Sequence, residues 1–248
     1  MSGRKVWPHH EREEAPPLSW RKRCADGSRE RGAGSDEAGV MPASLNIRPA
    51  HESETDRIAE IIFGDPPPES VWMTGSKRRA RALGKVMVRL GGEMSWENTT
   101  VAEIDGRVVG ILQPALGADG GVKVGPALIL HTLRIIGPFS IRGVLQRMKV
   151  RERLNFALPE GAYHIAELHV DEALRGQGIG GALLDHAEVE ARKGGRDQMS
   201  LVTAIANPAR RLYERHGFVV VETKTDAEYE RGTGSEGRVL MVKELSRG

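Results

Sequence analysis

The chain of 248 residues holds one cysteine, Cys24. It has no intramolecular partner, so a disulfide framework is excluded and a reducing compartment is acceptable. Neither sign of charge dominates: 36 Lys and Arg face 34 Asp and Glu, a formal net charge of +2. Even with a pI near 8.8, that balance does not argue for a nucleic-acid partner. Long apolar runs are also lacking. The nearest, Val122 to Leu145, is interrupted by Gly125-Pro126, Arg134 and Gly137-Pro138, whereas a spanning helix needs roughly 18–20 apolar residues. Met1 to Val40 contains no apolar stretch of the signal-peptide kind. These absences predict a cytoplasmic protein with no membrane and no nucleic-acid partner. No metal is expected either, because His9-His10 has no Cys, His or carboxylate at ligand spacing and no other cluster does.

What is present suits a soluble globular domain, with 39% hydrophobic and 28% charged residues. Residues 1–44 are rich in Arg, Glu, Gly and Pro, with Trp7 and Trp20 isolated and no helical or strand period. Such a composition buries too little surface to offset chain entropy, which predicts a disordered tail. Met41 directly precedes the first patterned segment, so a translation start there fits as well as a genuine tail. The domain is then expected over 45–248, with a helical insertion at about 114–160.

Leu45 to Pro49 alternates as a strand, and a helix follows from a capping start at Ser53 and Asp56, with Ile58, Ile61 and Ile62 inward. A second helix over Lys77 to Arg89 carries Ala80, Leu83, Val86, Met87 and Leu90 toward the core. Asp105-Gly106 joins two strand-like runs, Thr99–Ile104 and Val108–Leu112, as a tight hairpin. Inside the insertion, helices break at Gly137-Pro138, and the basic residues Arg142, Arg147, Lys149, Arg151 and Arg153 read as a solvated face. Tyr163 to Val170 reads as a buried strand. A helix over Gly180 to Lys193 has Leu183, Leu184, Ala187 and Val189 among its apolar positions. Strands at Met199–Ile205, Phe218–Glu222 and Arg238–Leu245 follow, with a short helix at Pro208–Arg215 between the first two.

The chemistry centres on the strand, glycine loop and helix from Ile165 to Ala187. A helix N-terminus offers free N–H groups and partial positive charge, and glycines let the backbone approach a phosphate. Arg175 adds a formal charge beside it. A loop that uses its glycines only to turn tightly has the same composition. A P-loop is excluded, since no Gly-Lys-Ser/Thr follows. Gly176, Gly178 and Gly181 formally satisfy the dinucleotide fingerprint. The linker Asp171 to Arg175, the absence of an acid after the next strand and the short remaining chain disfavour a nicotinamide oxidoreductase.

Leu168-His169-Val170-Asp171-Glu172-Ala173-Leu174-Arg175-Gly176-Gln177-Gly178-Ile179-Gly180 resembles motif A of the GNAT superfamily of N-acetyltransferases. Asn207-Pro208-Ala209-Arg210-Arg211-Leu212-Tyr213-Glu214-Arg215-His216-Gly217-Phe218 resembles its motif B, at the expected order and spacing. The resemblance implies an α/β fold with a central mixed, mostly antiparallel sheet whose strands splay, flanked by helices. It implies acetyl-CoA as cosubstrate and a small-molecule or peptide amine as acceptor. Backbone groups at Leu168, His169 and Val170 would hold the pantetheine arm. Arg175, Gly176, Gln177, Gly178, Ile179, Gly180 and Gly181 would hold the pyrophosphate, and Asn207 and Arg210 would line the cofactor's other side.

By the same resemblance Tyr213 would protonate the departing thiolate, which a phenol's high pKa suits; the position also allows a tyrosine packed on the sheet. Attack by the amine would be direct, so Cys24 is no nucleophile. His164 and Glu167 are the candidate bases. Simple strand alternation sets them on opposite faces, and either also fits as a satisfied polar side chain. Arg210-Arg211 and Glu188-Glu190 read as solvated helix faces. A non-catalytic acyl-CoA-binding sensor of the same fold is the alternative function, and the insertion is expected to form a wall of the acceptor cleft or a homodimer contact.

Overall fold

In the computed structural model, which describes residues 45–90, 94–115 and 125–245, the hairpin sets the first half of a sheet. Strands β2 (Thr100–Ile104) and β3 (Arg107–Pro114) pair antiparallel across Asp105-Gly106. Both turn residues have positive φ, 51° and 75°, which matches the twist of a two-residue hairpin. β1 (Asn46–Pro49) adds to the outer edge of β2. The expected tail, including Cys24, and the glycine-rich opening of the insertion at 116–124 lie outside the described residues.

β4 (Tyr163–Val170), β5 (Gln198–Ala204), β6 (Val219–Thr225) and β7 (Gly237–Glu244) complete a seven-stranded sheet ordered β1-β2-β3-β4-β5-β7-β6. Every neighbouring pair is antiparallel except β4 and β5. That parallel pairing holds only where Tyr163, His164 and Ile165 face Met199, Ser200 and Leu201. Beyond Ile165 the two strands part, while β4 remains paired with β3 as far as Val170. The splay agrees with the expected architecture. It also explains why Ile165 is the one fully buried residue of β4, where a buried strand was expected: a strand without a neighbour on one edge leaves its side chains half covered.

Helix α1 (Thr55–Phe63) buries Ile58 and Ile62 as its spacing predicts. Its start differs. Ser53 lies inside a preceding single turn, Glu52–Glu54, and the Glu54 carboxylate accepts the His51 N–H at 2.7 Å instead. A short helix, α2 (Pro68–Thr74), opens with proline in its first turn, where the missing N–H costs nothing. α3 (Lys77–Leu90) turns Ala80, Gly84 and Val88 inward, and Leu90, expected in the core, is 46% exposed. The inward face is set by Gly84: a Cβ there would lie 2.2 Å from the Phe63 ring, so α1 and α3 cross in contact only with glycine at this point.

α4 (Pro126–Ile136) and α5 (Ile141–Arg153) occupy the segment expected as an insertion and break at Gly137-Pro138, with a bend of 90°. Among the described residues no single helix is long and apolar enough to cross a membrane. The basic run on α5 is not simply a solvated face. Arg147 donates to the Met73 carbonyl at 3.1 Å, Arg151 to Glu69 at 2.6 Å and Arg153 to Asp226 at 2.6 Å. These bonds fasten α5 to α2 and to Asp226, the cap of α8 (Ala227–Thr233).

On the opposite face of the sheet lies α6 (Ile179–Lys193), burying Leu183, Leu184 and Ala187. Val189, expected among its core positions, is 48% exposed. Five residues past Leu184 the helix has turned about 140° from that side chain. Glu188 is no solvated acid either, since it pairs with Lys243 and Arg192. α7 (Arg210–Arg215) completes this layer, with Tyr213 in the core shared by α6, β5 and β7.

Candidate functional site

The loop that leaves β4 is anchored before it reaches its glycines. The Asp171 N–H bonds the Val109 carbonyl at 2.8 Å, and its carboxylate pairs with Arg57 and, at 3.3 Å, with Arg107. The hydrogen bond from Arg57 holds the Asp171 carboxyl below its usual range. After one turn, Glu172–Leu174, the chain passes through Gly176 and Gly178, both at φ 81°. Side chains are strained in that left-handed conformation, and glycine is not. Across this stretch, none of the amides of Gly176, Gln177, Gly178, Ile179, Gly180 and Gly181 donates a hydrogen bond to a described residue. A run of unmet N–H groups at the start of a helix is an arrangement able to hold an anion.

Gly180 and Gly181 have a second role. A Cβ on Gly180 would lie 2.9 Å from Leu212 Cδ2, and one on Gly181 would lie 3.2 Å from His216 Nε2. Their bareness lets the first turn of α6 approach α7. Around Gly176 nothing lies within 4 Å of an added Cβ, so there the demand is φ alone.

The parted edge of β4 leads to this loop. Because Asp171 bonds toward β3, alternation turns the backbone groups of Val170 and Leu168 to the open edge. Arg175 Nε reaches the Val170 carbonyl from that side at 3.4 Å. Ala166 is an extra residue in β4: Gln113 pairs with Glu167 and the next residue, Pro114, with Ile165. The bulge resets the side-chain phase. Ile165, Leu168 and Val170 all join the core beneath α6, which leaves His164, Glu167 and His169 on the other face. The expected separation of His164 from Glu167 is therefore overturned, since alternation counts no bulge.

On that face His169 Nε2 lies 2.7 Å from Glu167 Oε2, and His164 Nδ1 lies 3.0 Å from Ser200 Oγ. Burial, aided by the charge of Arg238, pushes the His164 pKa down to about 4, so its ring is neutral near pH 7. Tyr213 is 6% exposed and stacks edge-on against Phe218, with ring centroids 6.1 Å apart. Its hydroxyl bonds no described residue. Burial and the Glu167 charge push its pKa up to about 12. Asn207 and Arg210 are engaged locally: the Asn207 amide donates to Thr203 Oγ1 at 2.7 Å and accepts from Ala209 N at 2.9 Å. Arg210 donates to the Ile205 carbonyl at 3.1 Å and to Glu214 at 3.4 Å. Arg210 is thus not a solvated cation, and both side chains shape the entry to α7.

Several charged residues of the outer face escape the sequence reading. Glu69 accepts from Tyr229 Oη at 2.8 Å and from Arg151 Nε at 2.6 Å, and Arg238 Nε lies 3.7 Å away. Burial raises the Glu69 carboxyl, but Arg238 and Arg151 outweigh it and hold the group below its usual range. The one local signal was an arginine opening the apolar strand Val239-Leu240-Met241-Val242. A cavity of about 580 Å³, lined by Tyr163, His186 and Glu190, opens at the other end of β4 and is remote from the glycine loop. Among the described residues, no group of three or more His, Cys, Asp or Glu is placed to hold a metal.

Residues 146–220, from α5 through the glycine loop to the start of β6, match the family model described as an acetyltransferase (GNAT) domain. No curated protein matches the sequence. Among solved structures, an N-acetyltransferase from Staphylococcus aureus Mu50 superposes with a TM-score of 0.52 at 16% identity, covering 79% of this chain and 99% of that chain. A protein described as an acetyltransferase gives 0.49 at 22% identity, covering 81% of this chain and 100% of that chain. The PaiA N-acetyltransferase of Thermoplasma acidophilum, solved with coenzyme A, gives 0.48 at 16% identity over 82% and 99%. At such identities the first of these likenesses speaks for the fold.

Proposed function

We propose that this chain, whose residues 146–220 match the model of an acetyltransferase (GNAT) domain, transfers an acetyl group from acetyl-CoA to a primary amine by direct attack in a ternary complex. The observation that carries the reading is the run of unmet amides from Gly176 to Gly181 beside the parted edge of β4. Those donors, with Arg175, suit a pyrophosphate. The open-edge backbone of Leu168 and Val170 suits the amide groups of a pantetheine arm, which pair as a strand does.

Acetyl-CoA, when bound, supplies the reactive thioester. Tyr213, neutral through the physiological range, gives its phenolic proton to sulfur as the C–S bond breaks. Glu167, hydrogen-bonded to His169, accepts the proton that the amine nitrogen loses as the C–N bond forms. His164, with its ring held at about 4, is neutral near pH 7 and is engaged with Ser200 rather than with Glu167. Its bond to Ser200 braces the end of the cleft where β4 and β5 still pair.

Free-thiol release from acetyl-CoA across a panel of amines tests the reading. At least one amine is expected to accelerate release in proportion to enzyme. Tight CoA binding with no release for any amine would reject catalysis and leave an acyl-CoA-binding module.

A further inference from the structure

We propose that Arg238 recognises the acceptor, and that the acceptor is a small amine that also carries a carboxylate; this rests on the acetyltransferase reading above. Val239 and Met241 on β7 enter the core beneath α6 and α7 with Met199 and Leu201. Arg238 therefore projects from the opposite face, the one that holds His164, Ser200 and Glu167. Its side chain is only 13% exposed, and its Nε is buried without a partner. None of its N–H groups makes a hydrogen bond to a described residue. A guanidinium brings five donors, and burying them unmet is costly.

The surrounding charges do not neutralise it. Glu69, at 3.7 Å, is beyond hydrogen-bond range and already serves Arg151 and Tyr229. Arg153 is matched by Asp226, Arg147 bonds a carbonyl, His164 is neutral and Glu167 is turned to His169. Two guanidiniums around the one Glu69 carboxylate therefore leave positive charge over, on the face where the amine must arrive. A carboxylate fits that surplus with one negative charge and meets the planar fork with two parallel bonds. The ammonium of the same acceptor then meets the Glu167 carboxylate, so both ends of a zwitterion find an opposite charge.

Thiol release is to be measured with the full chain on matched sets: each α-amino acid, its carboxamide and its decarboxylated amine. The free acids are expected to show kcat/KM higher by at least about tenfold, the scale of a charge-assisted bidentate contact. Arg238→Gln is expected to collapse that ratio toward parity, chiefly through KM. Arg238→Lys is expected to keep part of it, because the ammonium retains the charge but not the fork. Carboxamides turned over as well as acids by the unmodified chain, or an unchanged ratio in Arg238→Gln, would overturn the proposal. If Arg238→Gln fails to fold by circular dichroism, the acid-to-carboxamide ratio of the unmodified chain decides alone. If no amine releases thiol, the acetyltransferase reading fails by itself. Thermal shift then separates the two: acids but not carboxamides should raise the melting temperature, and equal shifts would reject the Arg238 site.

Discussion

On the α6 side of the sheet, the groups proposed to hold a pyrophosphate are backbone amides of one continuous segment, Gly176 to Gly181. On the other face the polar groups are side chains from four separate elements: Glu69 on α2, Arg151 on α5, Tyr229 on α8 and Arg238 on β7. The difference lies in what each site depends on. An amide site needs particular φ values and an open edge, and tolerates most side-chain exchange. A side-chain site is lost with one residue, and it can diverge without disturbing the fold.

Substitutions can break or sharpen this contrast. The largest effect is expected between the two faces, at Tyr213→Phe. The ring still packs on Phe218 while the proton is lost, so kcat should fall by about 10²–10⁴ with CoA binding by calorimetry unaltered. Turnover within a factor of about three of the unmodified chain would end the acid role.

Next comes His164, whose pKa of about 4 lies below its unfolded value of 6.5. Protonation therefore favours unfolding. Stability is whole above about pH 6.5, falls as pH drops toward 4 and levels below that, with roughly 3 kcal/mol at stake. Denaturant melts of His164→Gln should lack this component. Equal pH slopes for both proteins would show that the ring is not buried neutral.

Glu69→Gln should cost about 2 kcal/mol, because it leaves two guanidiniums without their shared carboxylate. The full penalty for breaking a buried pair is discounted here for the partial exposure of Arg151. Affinity for acetyl-CoA should not move, and a weakened CoA complex would show that the two faces are coupled. A smaller effect is expected at Gly178→Ala, about 1 kcal/mol of stability from placing a side chain at φ 81°. Acetyl-CoA binding should weaken with it. At Gly180→Ala the same measurements should change less, since the Leu212 methyl group at 2.9 Å can shift. The opposite order would mean that loop conformation does not govern the site.

Local patterns were legible wherever the physics is local. Asp105-Gly106 announces its hairpin because two positive φ values are a property of those two residues. The β4, glycine loop and α6 unit follows from apolar spacing and a helix start. Two short helices, α2 and α8, were missed: one opens within Pro66-Pro67-Pro68, the other behind the Asp226 cap, and neither has the length for a period to show. Leu90 and Val189 were assigned to the core because a helical stripe is wide, and only the neighbours decide which edge of it is covered.

By itself, then, the sequence determined the order of elements and the backbone-built glycine loop, since turn chemistry and helix starts act over a few residues. The bulge at Ala166, which brings His164 and Glu167 onto one face, was decided by the pairing of β4 with β3. The charge left over at Arg238 was decided by packing α2, α5 and α8 over the same face, since residues up to 169 positions apart, Glu69 and Arg238, meet only when the chain has folded.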